Sequence, residues 1–166
     1  GNGGHIYIAA GRTTAVKQSG GIIQIQGGMG DNEDQGYGGD VQINGGEGKG
    51  NSGILDRGGH VKIEGGMANG GTGGSVFISS GLGQQFTSGD MFLQTMNAGT
   101  VGGTSGAIAI ETGHSTLIGG YSGKIRFSTG NALNGARAGN FEVQIGETSD
   151  GAGGDMLFSA GTTVGD

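Results

Sequence analysis

Ten copies of a short alternating motif constrain this chain more than any other feature. Each copy begins with Gly and carries apolar residues at the second and fourth positions after it, as in the segment 106–113. The copies recur about every 15–20 residues, and such recurrence is the sequence signature of a repeat architecture. Their starting residues are Gly4, Gly21, Gly39, Gly59, Gly74, Gly89, Gly106, Gly123, Gly139 and Gly154.

The second and fourth positions are apolar in every copy, in a chain that is only 32% hydrophobic. Most of them are β-branched, and this alternation is typical of a strand with one buried face. The sixth position lies on the same side and is small in nine copies, whereas the third and fifth positions are mostly polar. The pairs are Ile6/Ile8, Ile23/Ile25, Val41/Ile43, Val61/Ile63, Val76/Ile78, Met91/Leu93, Ile108/Ile110, Ile125/Phe127, Phe141/Val143 and Met156/Phe158.

Glycine makes up 45 of the 166 residues, and proline, cysteine and tryptophan are absent. A glycine content this high is typical of collagen or of disordered chains. Collagen is excluded because it needs Gly at every third position and abundant proline. The regular placement of the apolar residues favours an ordered repeat over disorder.

A single strand of about five residues cannot bury its apolar face alone, so the copies are expected to stack. The connections contain too few apolar residues to form an opposing wall. The sequence therefore predicts an all-β fold, a parallel β-solenoid with two copies per coil and two facing parallel sheets about 10 Å apart. One copy per coil is the alternative. Residues 1–166 would form a single repeat domain.

The two ends of the chain carry no obvious polar cap, which a solitary solenoid needs to protect its open sheet ends. A second copy of the chain placed after Asp166 would also continue the repeat in register. We therefore expect a segment of a longer array, or a filament that stacks head to tail.

The net charge of −6 argues against some partners. Nucleic acids and anionic membranes both attract clusters of Lys and Arg, which are missing here. No apolar run approaches the roughly 20 residues of a membrane-spanning helix. We expect neither nucleic-acid binding nor membrane insertion.

Residues that could support catalysis are scattered. The glycine-rich connections lack the following helix that phosphate-binding loops require. The three histidines form no metal-binding or catalytic pattern, and the carboxylates do not line up in adjacent copies. We expect a protein without enzymatic activity and without a cofactor. The histidines are His5, His60 and His114.

Two groups of residues are weak candidate sites. Asp31, Glu33 and Asp34 concentrate hard oxygen ligands and could hold a cation, although a solvated acidic loop is the better interpretation. Phe77, Phe92 and Leu157 occupy outward positions, where apolar side chains mark either a lateral contact or isolated exposed groups.

The phrase Ser-Gly-x-Ile-x-Ile/Phe-x-Thr-Gly, found at 105–113 and 122–130, resembles the long glycine-rich repeat proteins of diatoms and related algae. Similar repeats occur in fibre proteins of phages and giant viruses. The resemblance covers essentially the whole chain and implies an extracellular or cell-surface location, without implying any site residue.

Together these features predict a structural protein of an extracellular filament, cell wall or surface appendage, which assembles with itself by stacking of β-coils. The alternative is a surface-binding module, such as an adhesin or a viral or phage fibre segment, whose partner is a carbohydrate or another surface. Ice binding is a weaker alternative because the outward positions form no ladder of Thr residues.

Overall fold

The computed structural model describes residues 3–50, 52–53, 55–116 and 119–161, and these contain neither a helix nor a strand. Turns and bends occur in this part of the chain, and all of them lie in the connections between copies. The prediction of an all-β parallel solenoid with two facing sheets is therefore wrong, because the described residues form no sheet. The alternative with one copy per coil fails for the same reason, because it also requires a sheet.

No side chain among the described residues is buried. The chain exposes 17396 Å² to solvent for a mass of 16.2 kDa. A compact protein of this mass exposes about 7,500 Å². The apolar pairs therefore do not form the core that the alternating pattern predicted.

The described residues lack the ladder of backbone hydrogen bonds that defines a strand. Folded domains contain about one internal hydrogen bond per residue, most of them between backbone groups. The described residues contain only seven backbone–backbone hydrogen bonds. Apolar residues on one side of a segment favour a strand only when neighbouring segments pair with it and cover that side. High glycine content opposes such pairing because glycine loses the most conformational entropy on folding.

The exposure of the apolar side chains nevertheless follows the predicted alternation. Every large apolar side chain that is at most 57% exposed occupies a second, fourth or sixth position of a copy. The large apolar side chains at outward positions and in the connections are at least 75% exposed. The segments are thus two-sided, although neither side is buried.

Side-chain contacts on the polar side support the same alternation. In the second copy, Gln24 donates a hydrogen bond to Gln26 at 3.1 Å. In the fourth copy, Lys62 and Glu64 form an ion pair at 2.8 Å. Both contacts join the third and fifth positions of a copy, so these two positions lie on the same side. Their side chains are exposed, and such contacts add little stability.

Five connections are closed by a single backbone hydrogen bond, and we call each closure a neck. In each neck, the amide of a starting Gly donates to the carbonyl of the Gly that ends the preceding copy, at 2.8–3.0 Å. The five necks join Gly21 to Gly11, Gly39 to Gly28, Gly59 to Gly46, Gly74 to Gly66 and Gly89 to Gly81.

The connection that follows Gly130 contains a tight turn. The amide of Ala136 donates to the carbonyl of Leu133 at 3.3 Å. Asn134 and Gly135 lie between them with φ values of 57° and 79°. Asn-Gly is the pair that tolerates this left-handed backbone best, which explains why the turn forms at these residues.

The chain divides into two units, Gly1–Asp90 and Met91–Asp166. The boundary lies next to Gly89, where the sixth copy starts. All five necks belong to the first unit. The prediction that residues 1–166 form a single repeat domain stays a prediction.

The necks predict a distinctive pattern of amide hydrogen exchange in a dilute, unassociated sample. Most amides should exchange at rates close to those of an unstructured peptide, because few of them donate a hydrogen bond. The amides of the five neck-forming starting glycines should exchange about fivefold more slowly, as expected for a solvated bond worth about 1 kcal/mol. Nuclear magnetic resonance of the ¹⁵N-labelled chain measures these rates. Uniform protection across the ten copies would contradict the described fold.

Candidate interaction surface

The second and fourth positions of the ten copies form the largest set of solvent-exposed apolar residues that share one structural role. We call these positions the apolar rows. From the second copy to the tenth, the second-position side chains are 46–67% exposed and the fourth-position side chains are 52–85% exposed. In the first copy Ile6 is 92% exposed. Each row side chain therefore keeps a large apolar area in contact with water.

Every copy thus leaves two large apolar side chains uncovered. Monomeric proteins rarely expose contiguous apolar patches above a few hundred Å², and larger patches mark contact sites. The rows repeat the same chemistry ten times along the sequence. A partner that covers one copy can therefore cover the others by the same contacts.

The two units of the chain carry the same net charge. Residues 1–90 contain five basic and eight acidic side chains, and residues 91–166 contain three and six. Each unit thus has a net charge of −3. Because both units are acidic, electrostatic attraction does not favour association between two chains. Apolar contact is the interaction for which the rows are suited.

The three outward apolar residues of the sequence analysis are more exposed than most of the row residues. Phe77 is 92%, Phe92 is 82% and Leu157 is 87% exposed. The structure provides no cover for any of them, so they remain available for a lateral contact. The sheets on which they were expected to lie do not form in the part of the chain that the structure describes.

The acidic segment is organised around an asparagine rather than around a cation site. The Asn32 side-chain oxygen accepts hydrogen bonds from the amides of Asp34, at 2.9 Å, and Gln35, at 3.0 Å. This arrangement is an Asx turn, which needs no metal. Asp31, Glu33 and Asp34 are all exposed. Within the described residues, no group of three or more His, Asp or Glu side chains is placed to hold a metal ion.

One open depression of about 350 Å³ lies beside the end of the sixth copy. Its lining consists of four consecutive residues, Gln94, Thr95, Met96 and Asn97. Binding sites usually collect polar groups from several separate elements onto one pocket. A depression made by a single segment lacks that convergence, and it contains no ionisable side chain.

The necks were missed by the analysis of the sequence, although their signal is present there. A Gly ends nine of the ten copies and a Gly starts every copy. In the predicted solenoid these glycines would form corners between stacked strands. Their side-chain-free backbones also allow two chain segments to meet closely, as the necks show.

No described helix has the length and apolar character needed to cross a membrane. Comparison with known proteins yields no match: no family model, no curated protein and no solved structure matches the chain. The resemblance to algal and viral repeat proteins therefore stays a prediction.

The Asx turn predicts that the acidic segment does not bind calcium specifically. Isothermal titration of the chain with CaCl₂ at physiological ionic strength should give no saturable heat, because the carboxylates are solvated and not brought together. The matched control is the Asp31→Asn and Asp34→Asn double variant, which should behave identically. Saturable binding by the original chain that this variant loses would establish a cation site.

Proposed function

We propose that this chain is a structural protein that associates with further copies of itself through the apolar rows. The observation that carries the proposal is the exposure of the row residues in a chain without a buried side chain among those described. Association would remove this apolar area from water, which is the main favourable contribution in most protein assembly.

The free energy gained by burying one row side chain is small, so association requires many copies of the motif to act together. Full burial of a Val or Ile side chain contributes about 1.5–3 kcal/mol. A row residue that is already half covered would therefore gain about 1 kcal/mol on association. One copy cannot overcome the entropy lost when two chains join. Ten equivalent copies can do so together, which favours an extended, repeated contact over a local one.

The partner proposed is a second copy of this chain because repetition makes the surface self-complementary. Every copy of the motif presents two apolar side chains at the same two positions, so a segment that covers one motif can cover the others by similar contacts. The acidic net charge of the chain limits association at low salt. Added salt screens that repulsion. Self-association is therefore expected to strengthen as ionic strength rises.

The proposed setting is an extracellular filament, cell wall or surface appendage. Support comes from the resemblance of the segments 105–113 and 122–130 to algal and viral repeat proteins, and from the composition. A non-enzymatic role is part of the same proposal. The mode of assembly proposed here is apolar contact between copies, and it does not depend on a β-solenoid.

The first test is a double substitution in the seventh copy. Ile108→Asp with Ile110→Asp places two charges in the apolar rows, where association would take them out of water at a high cost. We expect the concentration at which the chain associates to rise at least tenfold. Sedimentation velocity and light scattering over a concentration series measure this change.

The matched control places the same two charges on the other side of the same segment. Ala107→Asp with Ala109→Asp changes the net charge equally but leaves the rows intact. This control should associate at nearly the concentration of the original chain. An equal loss of association in both variants would show that charge alone controls assembly, and would contradict a role for the rows.

A surface-binding module is the second candidate, and the exposure of Phe77, Phe92 and Leu157 favours it. Substitution of all three by Ser should abolish binding in a glycan and cell-surface screen if these residues contact a foreign surface. A chain that stays monomeric at all concentrations and binds a glycan or cell surface would replace the structural proposal with this one.

A further inference from the structure

The connections between copies differ in one feature that their lengths do not explain. Five connections, all between residues 11 and 89, are closed by a neck hydrogen bond. The other four, which lead to Gly106, Gly123, Gly139 and Gly154, have no such bond among the described residues. The first and second copies start as far apart as the seventh and eighth, yet the first of these connections is closed and the other is open.

The residue at the sixth position separates the two kinds of connection. Closed connections have Gly, Ala or Ser at this position, and open connections have Thr or Ile. The neck hydrogen bond measures 2.8 Å for Ala and Gly and 3.0 Å for Ser. The sixth-position residues of the closed connections are Ala10, Gly27, Gly45, Gly65 and Ser80, and those of the open connections are Thr95, Thr112, Thr129 and Ile145.

The residue that precedes each starting glycine does not account for the difference. Gly precedes the starting glycine in four closed connections, but Ser88 precedes Gly89 in the fifth. Conversely, Gly153 precedes Gly154, and this connection is open. A preceding Gly is therefore neither required nor sufficient for closure.

Contacts at the starting glycines show how the sixth position acts. In a closed connection, the space where Gly59 would carry a Cβ lies 2.8 Å from the amide nitrogen of Gly46. In an open connection, the same space beside Gly106 lies 3.2 Å from the Cγ2 methyl of Thr95. On this side of the starting glycine, the γ-methyl of the sixth residue is thus the nearest neighbour where a neck has the closing backbone.

Two further open connections show the same replacement. The corresponding space at Gly123 lies 3.3 Å from Cγ2 of Thr112, and at Gly154 it lies 3.1 Å from Cγ2 of Ile145. At Gly139 nothing lies within 4 Å, and that connection contains the Asn-Gly turn. In three of the four open connections, the γ-methyl is therefore the nearest neighbour on the Cβ side of the starting glycine.

Closed connections with Gly at the sixth position leave no room for a side chain. A Cβ on Gly45 would overlap the carbonyl oxygen of Gly59 and lie 2.8 Å from its carbonyl carbon. The neighbouring atoms belong to the backbone and cannot move aside as a flexible side chain can. Gly27 and Gly65 face the carbonyls of Gly39 and Gly74 in the same way.

We propose that the residue at the sixth position of each copy determines whether the following connection is closed by a neck. A small residue lets the two glycine backbones meet and form the neck, and a γ-methyl keeps them apart. The connections of the first unit are then closed, and those of the second unit are open.

A closed connection also shortens the distance that the chain spans. Each neck holds the two ends of one connection together, and the longest of these connections runs from Gly46 to Gly59. Released, it reaches about 43–47 Å when fully extended. The first unit therefore stores length that the opening of its necks would release, whereas no neck closes a connection among the described residues of the second unit.

Two reciprocal variants test the proposal in the full-length chain, at a concentration below association. Gly45→Thr should open the third connection and make the Gly59 amide exchange about fivefold faster, as expected for loss of one solvated hydrogen bond. Thr112→Gly should close the seventh connection and slow exchange of the Gly123 amide by a similar factor. Neither substitution adjoins the amide that is measured, so its intrinsic exchange rate does not change.

Asn44→Thr is the matched control for the first variant. It introduces the same side chain one residue earlier, at the outward fifth position, and should leave the Gly59 amide unchanged. The proposal is overturned if the Gly59 rate stays the same in Gly45→Thr, if it changes equally in Asn44→Thr, or if Thr112→Gly fails to slow Gly123. The measurement does not depend on self-association, so these results test the role of the sixth position separately from the proposed function.

Discussion

The hydrogen bond between two glycine backbones at each neck is the interaction that brings together the ends of five connections in the first unit. The chain has no buried side chain among its described residues, so packing cannot hold the connections in place. Each neck is a single hydrogen bond between solvated groups and contributes only about 0.5–1.5 kcal/mol. A bond of this strength offsets the entropy cost of ordering about one residue, so it can neither order a whole connection nor bring ten copies into one core.

The apolar rows remain exposed because of a balance of two opposing contributions. Ordering one residue costs about 1–2 kcal/mol in backbone entropy, and the cost is greatest for glycine. Each copy offers only two large apolar row side chains to offset the ordering of a whole repeat. Within one chain this burial is too small, and the row side chains stay 46–92% exposed. A second chain would add burial without lengthening the segment that must be ordered.

The sequence predicts where the copies and their connections lie and which two sides each copy has. It does not predict how the copies are arranged. Turns lie between the copies, and the second-position residues such as Val61 and Ile125 are among the least exposed apolar side chains, as the alternation predicts. These features depend on neighbours along the chain. Sheet formation depends on hydrogen bonds between distant segments, and no local pattern fixes whether they form.

The candidate sites also differ in how far the local sequence predicts them. The exposure of Phe77 follows from its outward position in the alternation. The Asx turn at Asn32 could also have been found, because Asn readily accepts hydrogen bonds from amides two and three residues ahead. The necks were harder to foresee because each joins two glycines that lie on either side of a whole connection. Their sequence signal is the size of the sixth residue, which the alternation treats merely as a small inward position.

Rows and necks place separate demands on the sequence, and this separation explains how the repeat tolerates variation. The rows need apolar residues at the second and fourth positions, whatever the connection contains. The necks need a small sixth residue and glycine on both sides, whatever the length of the connection between them. Gly27 and Thr112 can therefore serve copies with equivalent apolar pairs, Ile23/Ile25 and Ile108/Ile110, while their connections adopt different states. A change at the sixth position alters the reach of one connection and leaves the surface available to a second chain intact.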